Sequence, residues 1–351
     1  MRLILIIHHT TQSTDSDYAN ENKCLVSLVI LAFNEEENLP ELFQRVTTTI
    51  NALPVYRFEC IVIDNCSTDR TGEIARSFTE EDRRWRYIRF SRNFGAEVSL
   101  AAGLHYAIGD ALVFLPGDLQ DPPETLPIML EKWQEGYDVV YGELIKRNDE
   151  NLFKSLGAYL AYKFIYWLSD TKIPPNVSDF RLITRPVIEA VKRFNERNRY
   201  LRGMIHWVGF RQIGFPHKRN KRLHGDSSAD LLFCMQFALN ALFVSSIRPL
   251  RWASLFGLLM IIFTFLGMIG YTAMFFLSHY NLISLVPPPP GWTTMILALF
   301  FFGGVQSFFL GLLGEYLGRV YIETKQRPLW VLKETAGFPP SQDPLPGYKK
   351  T

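Results

Sequence analysis

Cysteine is scarce in this chain: four among 351 residues, at Cys24, Cys60, Cys66 and Cys234. No two are spaced Cys-x-x-Cys and no histidine stands at zinc-ligand spacing from them, which excludes a zinc knuckle and leaves no disulfide framework. The thiols read as buried side chains in a reducing compartment. An excess of one sign of charge is lacking too. Lys and Arg number 37 against 35 Asp and Glu, a net charge of +2, too balanced for a nucleic-acid partner. No Gly-x-Gly-x-x-Gly follows the first apolar run, and no Gly-x-x-x-x-Gly-Lys-Ser/Thr occurs. Dinucleotide enzymes and P-loop nucleotidases are thereby removed.

Charge is absent altogether from 252 to 277 and from 292 to 314. Each run exceeds the about 20 residues that cross a hydrocarbon core. They read as two membrane helices, the alternative being two helices buried in a large soluble core. The connection at 278–291 holds no Lys or Arg and includes four successive prolines, Pro287, Pro288, Pro289 and Pro290, a stiff corner. Arg248 and Arg251 precede the first run; Arg319, Lys325, Arg327 and Lys333 follow the second. Positive charge prefers the cytoplasmic side, so both termini are expected there, with a short external loop. Residues 229–247 are nearly long enough to cross but contain Asp230, Gln236 and Asn240; an interfacial helix is favoured over a third span. Residues 152–168 are crowded with Tyr, Phe and Trp and carry Lys154 and Lys163, which suits an interfacial helix or a core helix equally. The apolar run at 3–7 is too short for a signal peptide. The expected organisation is an N-terminal extension over 1–23, a cytoplasmic domain over 24–228, the interfacial helix over 229–247, a membrane hairpin over 248–318 and a cytoplasmic tail over 319–351. Gly303, Gly304, Gly311 and Gly314 permit close helix approach and suggest a homo-oligomer. Glu315 stands one turn from Arg319.

Between residues 25 and 142 apolar strands alternate with helical patterns. Strands are expected over 25–32, 58–64, 87–90, 111–115 and 137–141. Helices are expected over 35–50 with Asn34 as cap, from Asp69 or Thr71 to 78, over 96–108 and over 124–135. This is an α/β fold, a mainly parallel sheet with helices on both faces. Such sheets gather ligands at the carboxyl ends of their strands, and here those ends carry Asn34-Glu35, Asp64-Asn65, and Asp118 with Gln120. The stretch "VFLPGDLQDPPE" at 113–124 is the most informative: an apolar strand ends in a turn bearing Asp118 and Asp121. Oxygen ligands at a crevice suit Mg²⁺ or Mn²⁺, an ion that binds one or two carboxylates and the phosphates of a substrate.

The motifs "VILAFNEEENLPEL", "IDNCSTDRTGEIA", "SRNFGAEVSLAAGL", "PGDLQDPPE", "PPNVSDFRLI" and "YLRGMIHWVGFRQ" occur in this order, followed by the two apolar runs and "GLLGEYLGRVYIETKQRPLW". Together they resemble the polyprenyl-phosphate glycosyltransferases of glycosyltransferase family 2, the bacterial relatives of dolichyl-phosphate mannosyltransferase, over about residues 25–333. The resemblance implies a GT-A, Rossmann-like domain attached to a transmembrane hairpin in the inner membrane. It implies an inverting transfer of sugar from a nucleotide-sugar to polyprenyl phosphate, with release of a nucleoside diphosphate. By the same resemblance Asn34 and Glu35 lie beside base and ribose, Asp64 and Asn65 read the base, and Asp118 with Gln120 holds the metal. Asp179 is the base or orienter of the acceptor. Arg181, with Arg202 and Arg219, faces the acceptor phosphate, and Arg222 belongs to a loop closing over the donor. Glu35 has the plainer reading of a first-turn helix acid, and Asp69 that of a cap. His206, His217 and His224 show no metal spacing. The chain departs from the family pattern at Pro116, where an Asp is usual, at Ala96 and at Ser228, where lysines are usual. These departures leave open a catalytically impaired relative that serves as a membrane scaffold or partner subunit.

Overall fold

The computed structural model describes residues 23–144, 177–220, 248–280 and 291–345. Five expectations lie wholly or mostly outside them: the extension before residue 23, the aromatic helix at 152–168, the helix at 229–247, the proline corner, and Arg222.

Three βα units open the fold. Strand β1 (Leu25–Ala32) leads to α1 (Leu39–Asn51), β2 (Arg57–Asp64) to α2 (Thr71–Glu81), and β3 (Trp85–Phe90) to α3 (Ala96–Tyr106). Strand β4 (Ala111–Pro116) follows, then a 3₁₀ turn (Pro123–Thr125), α4 (Leu126–Gln134) and β5 (Val139–Leu144). Beyond the next described break come β6 (Val177–Thr184), α5 (Arg185–Lys192), α6 (Leu201–Trp207) and β7 (Gln212–His217). Two long helices, α7 (Arg248–His279) and α8 (Trp292–Thr324), precede a last strand, β8 (Leu332–Ala336).

The eight strands form one sheet in the order β7-β5-β6-β4-β1-β2-β3-β8. Its centre, β3-β2-β1-β4, is parallel throughout, in register Val26↔Phe58 and Val26↔Ala111. These strands are apolar on both faces because both faces are covered. Val26, Leu28 and Ile30 of β1 join a core with Leu39, Leu42, Val46, Phe78 and Met129 from α1, α2 and α4. Val29 points the other way, into a core with Leu100, Leu104, Ile188, Val191 and Ile205 from α3, α5 and α6. The period of two along β1 thus feeds two separate layers. Gly103 of α3 marks the closest approach of helix to sheet. A Cβ there would stand 2.5 Å from Val29 Cγ1 and 3.2 Å from Phe114 Cε1.

Several expectations shift. Helix α1 starts at Leu39 rather than 35, because Asn34 adopts φ +55° and Pro40 sits in the first turn; Asn34 is not its cap. Strands β6, β7 and β8 have no counterpart in the sequence reading. β6 inserts antiparallel between β4 and β5. The C-terminal segment is not a loose tail: β8 pairs antiparallel with β3, and Trp330 Nε1 donates to the Tyr106 hydroxyl at 3.0 Å. Of the cysteines, only Cys60 is buried among the described residues; Cys24 is exposed ahead of β1, and Cys66 is half-buried in a turn at φ +64°.

Helices α7 and α8 contain the stretches Leu250–Gly267 and Ala298–Thr324, long and apolar enough to cross a membrane. They touch through Phe256 and Phe309, ring centroids 5.9 Å apart. The pair Arg319–Glu315 forms at 2.6 Å. Among the described residues, nothing stands within 4 Å of where a Cβ would be at Gly303, Gly304, Gly311 or Gly314. Helix α8 continues past the charge-free run to Glu323, whose carboxylate accepts the backbone N–H groups of Arg197 (2.8 and 2.9 Å) and Asn198 (3.0 Å).

Gly103→Ala is expected to lower stability by about 1–3 kcal/mol, the usual result of overpacking, as measured by denaturant unfolding. An unchanged midpoint would show that α3 can move off the sheet.

Candidate active site

The chain leaves β1 toward β2 on one side and reaches β4 on the other. A crevice opens at such a reversal, beyond the carboxyl ends of the two strands. The turns after β1, β2 and β4 meet there.

The first two turns are stitched together. Asn34 donates its backbone N–H to Ser67 Oγ (3.0 Å), and its Oδ1 accepts the N–H of Thr68 (2.9 Å). Glu35 donates its N–H to Thr71 Oγ1 (2.8 Å), and its buried carboxylate accepts from Asn38 Nδ2 (2.6 Å). Asp69 serves the start of α2, accepting the N–H of Thr71 at 3.0 Å. Asp64 lies fully buried beneath. It accepts the N–H of Ser67 (2.7 Å) and the Tyr87 hydroxyl (2.9 Å), with Arg89 Nε at 3.6 Å. Burial pushes the Tyr87 hydroxyl upward in pKa, and the Asp64 carboxylate adds to the shift. Asn65 donates to Asn93 Oδ1 (2.9 Å) and accepts the N–H of Phe94 (2.8 Å). Asn34, Glu35, Asp64 and Asn65 therefore come together as expected, but as a frame bonded within the protein. The exposed aromatic beside them is Phe33, 44% accessible. Sequence reasoning passed over it; an aromatic at the open end of an apolar strand was the available signal.

The third turn carries the proposed metal ligands. Gly117 donates to the Leu31 carbonyl at 2.9 Å, and a Cβ at residue 117 would lie 2.7 Å from that oxygen. Leu119 adopts φ +57° with its side chain buried. This conformation lets Asp118 Oδ1 accept the N–H of Gln120 at 3.1 Å. Asn220 donates its N–H to the Gln120 carbonyl at 2.9 Å, tying the segment after β7 to the turn. Asp121 and His217 are both buried, with Oδ1 and Nε2 2.6 Å apart. The Arg219 guanidinium lies 3.4 Å from Asp121 Oδ2 and 3.9 Å from Asp118 Oδ2. The Asp121–His217 pair was not foreseen, since nothing local links residues so distant in sequence.

This turn draws positive charge: one guanidinium faces two carboxylates, and among the described residues Asp121 Oδ2 has no hydrogen-bond donor. Its hard oxygen donors fit Mg²⁺ or Mn²⁺. Among the described residues no group of three or more His, Cys, Asp or Glu is arranged to hold an ion unaided. Such a site suits an ion that completes its shell with substrate phosphate and water.

A second cluster stands on β6. Phe114 of β4 pairs with Arg181, and Asp179, two residues earlier, shares a face with Arg181. Arg202, in the first turn of α6, grips Asp179 through Nε (3.2 Å) and Nη2 (2.8 Å). Arg181 Nη2 lies 3.4 Å from Asp179 Oδ1 and donates to the Ser178 carbonyl at 2.8 Å. Burial would raise the Asp179 carboxyl, but Arg202 and Arg181, helped by Arg219, hold it below the usual carboxylate range. Burial lowers Arg181 to about 10 against the pull of Asp179, so it remains a cation at neutral pH. Glu97, in the first turn of α3, accepts the backbone N–H of Leu201 at 2.8 Å. Burial raises its carboxyl to about 7, more than that hydrogen bond lowers it. Arg219 acts on Asp179 as well as on Asp118 and Asp121, so the two clusters share a cation.

Residues 27–192 match the family described as Glycosyl transferase family 2. The chain is 36% identical over 312 residues to the uncharacterised glycosyltransferase YkcC of Bacillus subtilis, covering 89% of this chain and 94% of that one. The chain belongs to glycosyltransferase family 2. A second family 2 relative, the uncharacterised glycosyltransferase sll0501 of Synechocystis, is 37% identical over 319 residues, covering 89% of this chain and 96% of that one. The bactoprenol glucosyl transferase of Shigella phage SfX is 36% identical over 311 residues, covering 88% and 98%. The mixed sheet with its parallel centre is the GT-A form of this family.

The folded Asp179 carboxyl lies below its unfolded value. The stability it contributes is therefore complete above the ordinary carboxylate range and is lost as pH falls through the lowered value. Arg202→Met removes the strongest cation acting on it and is expected to move the acid limb of a Tm-against-pH profile upward. An acid limb that stays in place would show that Arg202 does not govern this carboxylate.

Proposed function

We propose that this family 2 enzyme moves a sugar from a nucleotide-sugar to a polyprenyl phosphate at the cytoplasmic face of the inner membrane. A nucleoside diphosphate leaves and the anomeric centre inverts. The observation that carries the reading is the hold of Glu323 on Arg197 and Asn198. A helix apolar enough to cross a membrane thereby ends on the loop that leads into Arg202. A polyprenyl chain stays in the bilayer, and its phosphate stays at headgroup depth. A crevice fastened to α8 is held at that depth. The relative named a bactoprenol glucosyl transferase supports a lipid-carrier acceptor. Arg248 and Arg251 in the first turn of α7, with Arg319, Lys325, Arg327 and Lys333 at and after the end of α8, support cytoplasmic termini.

In this reading Phe33 and the frame of Asn34, Glu35, Asp64 and Asn65 receive base and ribose, with Arg222 joining the donor side. Asp118 and Gln120 would hold Mg²⁺ or Mn²⁺, an ion that would supply positive charge against the leaving diphosphate. Arg181, Arg202 and Arg219 take the acceptor phosphate. The second pKa of a phosphate monoester is about 6, so the nucleophile arrives largely ionised. Asp179, kept ionised by its two guanidiniums, serves to orient them and is a poor proton acceptor. The acceptor oxygen forms its bond to the anomeric carbon as that carbon's bond to the diphosphate breaks.

Purified enzyme given a divalent ion, a short polyprenyl phosphate and a range of nucleotide-sugars is expected to release nucleoside diphosphate. Asp118→Asn should lower that rate by about 10²–10³-fold, the scale of losing one electrostatic stabiliser. Release from no donor, or an undiminished Asp118→Asn rate, would overturn the reading. Glu323→Ala is expected to raise KM for the lipid acceptor several-fold while leaving nucleotide-sugar affinity unchanged. Equal loss of both would make Glu323 a general stabiliser and remove the membrane argument.

A further inference from the structure

Glu97 is the one acid of the second cluster that no cation grips. Arg202 and Arg181 are committed to Asp179, and the one hydrogen bond to Glu97 among the described residues is the neutral N–H of Leu201. The groups facing it come from two other elements: Asp179 and Arg181 on β6, Arg202 and Tyr200 at the start of α6. The Tyr200 hydroxyl is neutral, since burial raises it. With Glu97 ionised, two carboxylates and two guanidiniums sum to zero. With Glu97 protonated, the group carries one positive charge.

We propose that Glu97 is the proton-exchanging wall of the acceptor pocket, ionised while the pocket is empty and protonated once a phosphate monoester dianion lies against Arg181 and Arg202. This rests on the acceptor reading given above. A dianion entering this neutral, half-buried cluster meets the repulsion of two carboxylates. Asp179 is held ionised by its arginines, so the proton goes to Glu97. One carboxyl oxygen of protonated Glu97 still accepts from Leu201, and the other, now O–H, donates to a phosphate oxygen. The proton comes from solvent. Transfer turns the dianionic monoester into a monoanionic diester, the repulsion falls, and the proton returns to solvent. The carboxyl of the empty pocket, raised to about 7, is poised for this exchange near neutrality.

The test is calorimetric titration of the full-length enzyme with farnesyl phosphate at pH 7.5, in two buffers of different ionisation enthalpy. The phosphate is already dianionic there, so it contributes little of its own. Wild-type enzyme is expected to take up a large fraction of a proton per ligand, and to bind roughly fivefold more weakly at pH 8 than at pH 7. Glu97→Gln keeps an oxygen for Leu201 and an N–H for the phosphate. It is expected to bind with no proton uptake and no pH slope, at an unchanged Tm. Zero uptake by the wild-type enzyme, or equal uptake by both proteins, would overturn the proposal and leave the acceptor pocket standing. An enzyme that binds nucleotide-sugar with Mn²⁺ but no farnesyl phosphate would overturn the acceptor reading, and this inference with it.

Discussion

The bond between Glu323 and the backbone of residues 197 and 198 is the joint on which the arrangement depends. Without it the two apolar helices would be held to the sheet only by the chain and by the return of β8 to the sheet edge. A carboxylate that accepts two backbone N–H groups, one of them shared between both oxygens, has little rotational freedom, and charge-assisted bonds of this kind are about twice as strong as neutral ones. The segment it holds continues into Tyr200, Leu201 and Arg202. Arg202 holds Asp179, and Asp179 lies on β6 beside the turn of Asp118. The path from the end of a membrane-length helix to the candidate metal turn thus runs through side chains with one or two fixed partners each. The return of β8 to the sheet edge, with Trp330 on Tyr106, fastens the same helix end a second time.

Charge in the crevice is balanced by sharing. Asp179 has two guanidiniums, and one of them, Arg181, is itself buried. Arg219 serves Asp118, Asp121 and Asp179 from a position between the clusters. A desolvated acid without such a partner shifts its proton equilibrium instead, which is the condition of Glu97. One cation serving both sides also means that ligands on either side act on the same guanidinium.

The parallel centre of the sheet was legible because β1, β2 and β4 are apolar on both faces, a pattern that needs no tertiary knowledge. Asp118 and Gln120, just after β4, and Asp179 and Arg181, within β6, were picked out by short motifs and not by periodicity. β6 was recognised only as a motif, since its alternation is broken by Asp179 and Arg181, the residues that matter. β7 and β8 are short and carry Gly, Pro or charge, so no local periodicity announces them. Glu97 and His217 escaped for a related reason. Their importance comes from Leu201 and Asp121, each about a hundred residues away, and side-chain meetings at that separation leave no trace in spacing. The start of α1 was misplaced because Asn34 looks like a cap but uses its amide on the neighbouring turn.

Pro116, the departure that raised a question about activity, has a physical setting. Its ladder partner on one side is Leu31; on the other, the pairing of β4 with β6 ends at Phe114↔Arg181. Carrying that antiparallel register two residues further places residue 116 opposite Asp179, on the same face. A carboxylate at 116 would stand beside one that already requires two guanidiniums, and like charges directly opposite each other are destabilising. Pro116 is the last residue of β4, a position where a missing N–H is tolerated. Ala96 removes a cation from the same neighbourhood, next to Glu97. Against the family pattern the chain lacks one carboxylate, at 116, and two cations, at 96 and 228, so the losses offset in net charge only in part.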